Sequence, residues 1–310
     1  MPILRDAFLA LSTNGLVRNL VVNFPLSRRV TRRFVAGETL EEAIQVVQKL
    51  HEQNIAVTFD QLGESVTNES EARAARDGYL CALDAIAATG LSTHVSLKLT
   101  QMGLDLSPDV CLENVRQIIA KAKQIGTMVT LDMEDSKYTQ ATLNIFKTLR
   151  EESDNVGVVI QAYLYRSEED VKALIEMGAT VRLCKGAYKE PAEVAFPQKK
   201  DVDANYLKLA QLFWQPNGAG NGAYLQLATH DAKIIDWAKQ YTAAHKIDRA
   251  HFEFQMLYGI RSDLQRQLAA DGYTMRVYVP YGTHWYPYFM RRLAERPANV
   301  VFLVSNLFKS

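Results

Sequence analysis

The sequence contains few cysteines and none of the ligand patterns that mark a metal site. Its three cysteines, Cys81, Cys111 and Cys184, are widely spaced and form no C-x-x-C pair, and the chain has no H-E-x-x-H motif. This usage argues against a disulfide framework and against a zinc cage. We therefore expect a protein of the reducing cytoplasm that binds no metal ion.

The sequence also lacks an excess of either charge and any long apolar run. Lysine plus arginine and aspartate plus glutamate both number 35, so no global positive field attracts nucleic acid. No apolar run approaches the roughly 20 residues that span a bilayer, and the first residues do not resemble a secretion signal. We therefore expect a soluble protein with no nucleic-acid partner and no export.

What the chain does contain is a regular alternation of short strand-like runs with longer segments of helical period. The eight runs are IAVTFDQLG, HVSLKLT, TMVTLDMED, VGVVIQAYL, TVRLCKGAY, AYLQLATHD, HFEFQMLYG and MRVYVPYG. Eight strand–helix units predict a parallel sheet closed into a (β/α)₈ barrel of the TIM type. We predict one domain, with an N-terminal helical arm over residues 1–37 and the barrel over residues 38–310.

The predicted arm carries a basic segment, RRVTRRF, just before the barrel. Its four arginines share one helical side and are Arg28, Arg29, Arg32 and Arg33. We interpret them as a solvated face that pairs with acids such as Glu41 and Glu42, and weak contact with an anionic membrane is the alternative.

Polar residues end nearly every predicted strand, and in a (β/α)₈ barrel the strand ends carry the chemistry. These residues are Asp60, Glu64, Lys98, Asp132, Glu134, Gln161, Arg182, Lys185, His230, Gln255 and Tyr278. Any one of them is equally compatible with a structural role, since buried polar groups also hold loops in place. Their convergence on one rim favours a functional site.

Two strand-end lysines leave several roles open. Lys98 in VSLKLT either pairs with an acid on the next strand such as Asp132, neutralises a bound anion, or attacks a carbonyl as a Schiff-base lysine. Lys185 lies in RLCKGAY, where two cations and a glycine resemble a cradle for an anion or a cofactor, although a simple tight turn has the same pattern.

The C-terminal segment THWYPYFMRRLAERPANV predicts a helix over the top of the barrel. Tyr288, Arg291, Arg292 and Glu295 are spaced i, i+3, i+4 and i+7 and share one face. Two adjacent guanidinium groups suit a carboxylate, and the tyrosine ring suits an apolar substrate body. A solvated stripe with an internal arginine–glutamate pair is the alternative.

Four segments, YGTHWYPYFMRRLAERPANV, RLCKGAY, VSLKLTQMG and QLGE, closely resemble segments of the proline dehydrogenases, including the dehydrogenase domain of the bifunctional proline-utilisation proteins. The resemblance implies a distorted (β/α)₈ barrel that holds FAD and oxidises L-proline to Δ1-pyrroline-5-carboxylate, the first step of proline catabolism to glutamate. It also implies membrane quinone as the electron acceptor, with peripheral membrane association. A separate Δ1-pyrroline-5-carboxylate/glutamate-semialdehyde dehydrogenase would act downstream.

The resemblance further implies roles for individual residues. The proline carboxylate would be bound by Lys98, Arg291 and Arg292. The pyrrolidine ring would pack against Ala187, Leu257, Tyr278 and Tyr288. Glu64 would pair with Arg291 to close the site, Asp132 would orient Lys98, and Arg182 would place a positive charge beside the flavin. Further FAD contacts would come from Met133, Gln161, Cys184, Lys185, Gly186, Thr229, His230 and Glu295.

Two positions depart from the family pattern. Lys189 stands where bifunctional relatives often have tryptophan, and Asp231 stands where asparagine is common.

Without the resemblance, two other function classes remain alternatives. One is a Schiff-base lyase or aldolase that uses Lys98 or Lys185, and the other is a non-catalytic amino-acid binding protein.

Overall fold

The computed structural model describes residues 31–63, 65–215, 218 and 221–295, without the side chains of residues 293–295. Eight parallel strands form a closed barrel in which each strand pairs with the next and β8 pairs with β1. The strands are β1 (Ala56–Gln61), β2 (Thr93–Leu97), β3 (Val129–Leu131), β4 (Val156–Gln161), β5 (Thr180–Cys184), β6 (Tyr224–Ala228), β7 (Phe252–Leu257) and β8 (Met275–Tyr281). Each predicted run contains one strand, so the predicted barrel is confirmed.

Helices separate the strands and cover the outside of the barrel. They are α1 (Leu40–His51), α2 (Glu69–Thr89), α3 (Pro108–Gln124), α4 (Thr139–Glu152), α5 (Ser167–Glu176), α6 (Lys199–Phe213), α7 (Ala232–Ala244), α8 (Ser262–Ala270) and α9 (Trp285–Glu295). Short 3₁₀ turns at Ser136–Tyr138 and Arg249–His251 precede α4 and β7.

Local sequence explains where these helices begin. The Asn68 side chain accepts a hydrogen bond from the Glu71 backbone N–H at the start of α2. Ser107 does the same for Val110 at α3, where Pro108 occupies the first helical position. Both arrangements satisfy backbone donors that have no partner within the helix.

The main hydrophobic core lies between the barrel wall and its helices. Val95 and Leu97 of β2 are fully buried in one cluster with Val115 and Ile118 of α3, and the other strands contribute in the same way. Because strand side chains alternate in direction, the intervening residues point into the barrel. Ser96, between Val95 and Leu97, is one of them and is also fully buried. The barrel therefore has an apolar outside and a polar inside.

Two helices depart from strict alternation and shape the site. Helix α1 contacts both β1 and β8, so it occupies the place where the helix after β8 would complete the ring. Helix α9 instead packs its apolar face over the barrel top, where Trp285 and Phe289 join a separate cluster with Phe34, Leu62 and Ile260. The predicted helix over the top of the barrel is thereby confirmed within the described residues.

The basic segment before the barrel is described only in part. Arg32 is 69% exposed and its Nη2 lies 2.8 Å from Glu42 Oε1, which agrees with the interpretation of a solvated, paired face at that position. Arg28, Arg29 and most of the predicted arm lie outside the described residues. Among the helices that are described, none is both long and apolar enough to cross a membrane.

Candidate active site

A cavity of about 610 Å³ opens at the carboxyl ends of the strands beneath α9. Its size falls within the range of small-molecule and cofactor pockets. The predicted site residues that line it are Lys98, Asp132, Met133, Gln161, Arg182, Cys184, Lys185, Gly186, Ala187, Thr229, His230, Leu257, Tyr278, Tyr288, Arg291 and Arg292. The structure therefore brings together the residues predicted from seven strand ends and from α9. Glu64 and the Glu295 side chain lie outside the described residues.

Asp132 is the centre of the hydrogen-bond network at the cavity floor. Its Oδ1 accepts bonds from Ser96 Oγ at 2.6 Å and from Arg182 Nη1 at 2.7 Å, and its Oδ2 accepts one from Tyr278 at 2.7 Å. Burial opposes its ionisation, but the charges of Lys98 and Arg182 hold the pKa of Asp132 below its ordinary value. We therefore assign Asp132 as a carboxylate that anchors two cations.

Lys98 follows the end of β2 and lies between two carboxylates. Its Nζ is 3.5 Å from Asp60 Oδ1 and 3.6 Å from Asp132 Oδ2, and its side chain is 10% exposed. The predicted ion pair with Asp132 is therefore present, and Asp60 joins it. We call Asp60, Lys98 and Asp132 the buried triad.

Arg182 comes from β5 and reaches across the barrel interior. Its Nε donates to Gln255 Oε1 at 2.7 Å and its Nη1 donates to Ser96 Oγ at 3.0 Å, besides the bond to Asp132. Its Nη2 is buried and has no hydrogen-bond partner in the described part of the chain. A guanidinium has five N–H donors, and three of them hold this side chain in place. The cavity is thereby lined by a fixed positive charge with spare donors.

Two tyrosines and two arginines close the cavity from above and from the β8 side. Tyr288 and Arg292 of α9 are both buried, and the Arg292 guanidinium carbon lies 5.1 Å from the Tyr288 ring centroid. Arg291, one residue earlier, is half-buried on the same lining. Burial and the charges of Asp132 and Asp60 raise the pKa of Tyr278 well above its ordinary value, so its hydroxyl stays protonated.

A second lysine between two carboxylates lies at the β5 and β6 side of the cavity. Lys185 Nζ is 2.6 Å from Asp203 Oδ1 and 2.8 Å from Asp231 Oδ2, and the three side chains are 24–27% exposed. Asp231 also caps α7 by accepting a bond from the Lys233 backbone N–H. We call Lys185, Asp203 and Asp231 the rim triad. The departure at Asp231 therefore supplies an extra charge that Lys185 neutralises.

Backbone and neutral groups complete this side of the cavity. Gly186 has φ of 111°, and a Cβ there would lie 2.5 Å from the Tyr163 ring, so no other residue fits this turn. His230 Nε2 accepts a bond from the Leu257 backbone N–H at 2.9 Å. Gln161 donates from its amide to the Glu134 carbonyl oxygen at 2.8 Å. These contacts hold three of the predicted cofactor-side residues in fixed positions.

Three interior residues hold the charges together: Ser96, which was not among the strand-end candidates, and Gln255 and Asp60, which were candidates without an assigned role. Ser96 bridges Asp132 and Arg182, and Gln255 links Arg182 to Glu253 through a 2.6 Å bond from its amide. Alternation along HVSLKLT places Ser96 on the same side of β2 as Lys98, so the signal for Ser96 was present in the sequence.

Comparison with known proteins gives the family to which this site belongs. The family model described as Proline dehydrogenase matches residues 43–305. The chain is 45% identical over 306 residues to Proline dehydrogenase 1 of Bacillus subtilis (strain 168), covering 99% of both chains. It is 47% identical over 285 residues to Proline dehydrogenase of Deinococcus radiodurans, covering 90% of both.

More distant matches are to longer proteins. The chain is 28% identical to the bifunctional protein PutA of Escherichia coli (strain K12), covering 89% of this chain and 24% of that one. The structure of proline utilization A from Bdellovibrio bacteriovorus inactivated by N-propargylglycine superposes with a TM-score of 0.81 at 26% identity, covering 95% of this chain and 36% of that one. Together with the full-length matches, these findings establish that the chain belongs to the proline dehydrogenase family.

Proposed function

We propose that the chain catalyses the FAD-dependent oxidation of L-proline to Δ1-pyrroline-5-carboxylate and passes the electrons to membrane quinone. The observation that carries the proposal is the meeting of Lys98, Arg291 and Arg292 in one cavity that also holds Arg182. Three cations near one another suit a small anionic substrate group, and the separate fixed charge of Arg182 suits a group that becomes anionic on reduction.

The substrate side of the cavity fits the carboxylate and ring of proline. Arg291 and Arg292 approach from α9 while Lys98 approaches from the barrel floor, so a carboxylate would be held from two directions. Tyr278, Tyr288 and Leu257 line the cavity beside these cations and present ring and aliphatic surface to a pyrrolidine. Holding the ring in one orientation against the acceptor is the main contribution of these residues to catalysis.

Other residues of the cavity lining fit a flavin. The buried Arg182 Nη2 supports an acceptor there, and Gly186 allows close approach of the backbone. Met133, Gln161 and Thr229 line the same region. FAD bound here would supply the hydride acceptor and the electron path to quinone. Asp132 would keep Arg182 oriented, and Tyr278, bonded to Asp132, would keep its proton.

The lysine-based alternative is disfavoured by the surroundings of both candidate lysines. A Schiff-base nucleophile must be a neutral amine. Lys98 and Lys185 each form ion pairs with two aspartates, and these pairs occupy the amine that would attack a carbonyl. The geometry therefore supports anion binding at Lys98 and ion pairing at Lys185.

The proposal extends to the neighbouring enzyme in the pathway. The relatives of similar extent are named only as proline dehydrogenases, whereas the PutA relatives are named as bifunctional. We therefore expect the product to pass to a separate Δ1-pyrroline-5-carboxylate/glutamate-semialdehyde dehydrogenase.

A visible absorption spectrum of the purified protein, recorded before and after proline is added, tests both flavin binding and oxidation of proline. We expect a yellow protein whose absorbance bleaches when proline is added without oxygen. A colourless protein that is trapped by a carbonyl compound and borohydride would instead support the lyase, and proline binding without flavin or turnover would support a binding protein.

Two substitutions test the proposed carboxylate clamp, which consists of Lys98, Arg291 and Arg292. Arg291→Met and Arg292→Met should each weaken proline binding at least about 10-fold, because a charge-assisted hydrogen bond is lost. Arg116→Met is the matched control, since Arg116 pairs with Glu152 on the outer helices and its side chain is 40% exposed. Unchanged proline affinity in both site variants would show that the clamp is assigned wrongly.

A further inference from the structure

Asp60 is a buried carboxylate at the end of β1 to which neither the predicted site nor the proposed reaction gives a role. Its side chain is 1% exposed, and its Oδ1 lies 3.5 Å from Lys98 Nζ. Its Oδ2 is buried without a hydrogen-bond partner among the described residues. An ionised carboxylate in such a position depends on a nearby cation for its stability.

The two aspartates of the buried triad are held very differently. Asp132 accepts three hydrogen bonds of 2.6–2.7 Å, one of them from Arg182, so it keeps a cation whatever happens to Lys98. The hydrogen bond that Asp60 receives from Tyr79 is long at 3.4 Å, and the Tyr79 hydroxyl lies closer to the Ser96 carbonyl oxygen, at 2.8 Å. Asp60 is therefore the weakly held partner of the pair.

The charged and titratable groups that face Asp60 within the described part of the chain include one cation, Lys98. These groups are Tyr79 from α2, Lys98 after β2, Asp132 after β3, and Tyr278 and Tyr281 from β8. Burial raises the pKa of Asp60, the Lys98 charge lowers it, and the Asp132 charge raises it again. Without the influence of Lys98, burial and Asp132 would favour the protonated acid, opposed by hydrogen bonding from the neutral Tyr278.

Lys98 is also the cation that approaches the proposed carboxylate site from the barrel floor. A carboxylate bound there takes over the ammonium as its own counter-ion, and Asp60 then faces Asp132 and a new anion without a cation to itself. We propose that Asp60 is the resting counter-ion of Lys98, and that it takes up one proton when a ligand's carboxylate replaces it at the ammonium group.

The charges balance in this exchange. An anionic ligand enters with one negative charge, and one proton from solvent neutralises Asp60, so the site keeps the same net charge before and after binding. With zwitterionic proline, the ammonium proton that must leave before hydride transfer is an equivalent source. Asp60 acts through Lys98 in this scheme and is a positioning residue.

Proton uptake measured by titration calorimetry tests the inference, which rests on the proposed carboxylate site. Cyclopentanecarboxylate, a ring carboxylate without an amine, is titrated into the flavin-loaded protein in two buffers of different ionisation enthalpy, between about pH 6 and pH 8 where a free carboxylic acid is ionised. We expect uptake approaching one proton per ligand. Linkage then requires the Kd to rise by up to about tenfold per pH unit.

Variants assign the proton to a residue. Asp60→Asn should abolish the uptake and flatten the pH dependence, and it should bind the probe more tightly than the parent at pH 8. Tyr79→Phe is the matched control, because it removes a hydroxyl that contacts Asp60 and keeps the Asp60 carboxylate. This control should retain the uptake.

The parent protein alone can overturn the inference, so it does not depend on a variant that folds. Binding of the probe without proton uptake would refute it and leave the proposed function intact. Uptake that persists in Asp60→Asn would also refute it. Proton uptake on binding in a protein that proline fails to reduce would contradict the proposed reaction and leave the role of Asp60 standing.

Discussion

The buried triad and the rim triad both place a lysine between two aspartates, but they differ in depth and in distance. In the rim triad the ion-pair distances are 2.6 and 2.8 Å, and the side chains are about a quarter exposed. In the buried triad the distances are 3.5 and 3.6 Å, and Asp60 and Lys98 are 1% and 10% exposed. The same residue types therefore form a tight, partly exposed ion-pair group in the rim triad and a looser, buried one in the buried triad.

The difference indicates what each lysine is available to do. The rim ammonium is satisfied by two close carboxylates, with Lys199 also paired to Asp203, and water screens the whole group. The buried ammonium lies at longer distances in a poorly solvated place, where a third carboxylate competes effectively. Depth and spacing, more than residue type, separate the proposed binding lysine, Lys98, from the lysine of the rim triad.

The two triads should differ most when one aspartate in each is neutralised. Asp132→Asn should lower kcat/KM for proline by at least about 100-fold, near 3 kcal/mol, because a buried carboxylate that anchors Arg182 and Lys98 is lost. Proline-dependent reduction of a dye acceptor measures it. Asp203→Asn in the rim triad is the control and should change kcat/KM by only a few fold. Equal losses would show that burial does not separate the two triads.

A smaller effect should appear in the pH dependence of stability. The pKa of Asp132 is lowered in the folded protein, so its ionised carboxylate stabilises the folded state at pH values above the ordinary pKa of 3.8. That stabilisation is lost as the pH falls through the lowered pKa. The pKa of Asp60 is raised, so the folded state loses stability as pH rises from 3.8 through that raised pKa.

Thermal unfolding of Asp60→Asn and Asp132→Asn measures these opposite effects of pH on stability. Relative to the parent, Asp60→Asn should gain stability between about pH 4 and pH 8, and Asp132→Asn should be less stable throughout the upper part of that range. Two variants that follow the same trend would contradict the assignment of different roles to the two carboxylates.

The bridge between Asp132 and Arg182 should contribute less than either charge. Ser96→Ala removes a hydroxyl that bonds both residues, and we expect kcat/KM to fall about fivefold to tenfold, near 1 kcal/mol. Asp132 and Arg182 keep their direct bond of 2.7 Å, which explains the modest size. Thr148→Ala is a matched control, because that hydroxyl bonds the backbone of its own helix at Asn144 on the outside of the barrel. A loss as large as that of Asp132→Asn would place Ser96 at the centre of the network.

The smallest effect is expected in the rim triad. Lys185→Met should reduce stability by less than about 1 kcal/mol, because partly exposed ion pairs are screened. Chemical denaturation at low and at high salt measures it, and the difference from the parent should shrink as salt is added. A salt-independent loss of several kcal/mol would show that the rim triad is effectively buried.

Much of the fold was predictable from the sequence, and the reason is periodicity. The eight strand runs and the helix carrying Tyr288, Arg291 and Arg292 each follow a repeat of two or of 3.6 residues, which local burial imposes. The ion pair of Lys98 with Asp132 was also predictable, because consecutive parallel strands are neighbours in a barrel. The roles that the resemblance assigns to individual residues stay predictions.

The remaining contacts depended on closure of the barrel. Arg182 comes from β5 and bonds Ser96 in β2 and Asp132 just after β3, and no local sequence pattern predicts contacts between such distant strands. Asp60 enters the network because β1 lies beside both β2 and β8 in the closed ring. Strand-end polarity alone therefore could not tell Asp60 from the other candidates.

The eight-unit barrel and the cationic helix after its last strand could be read from the sequence, because apolar spacing and helical phase are local properties of the chain. Which charges face one another, and how deeply they are buried, depended on the folded arrangement. Electrostatic effects depend on distance and solvation, and both are set by how distant segments pack. For the two lysines, that packing is the difference between the proposed substrate site and a rim ion pair.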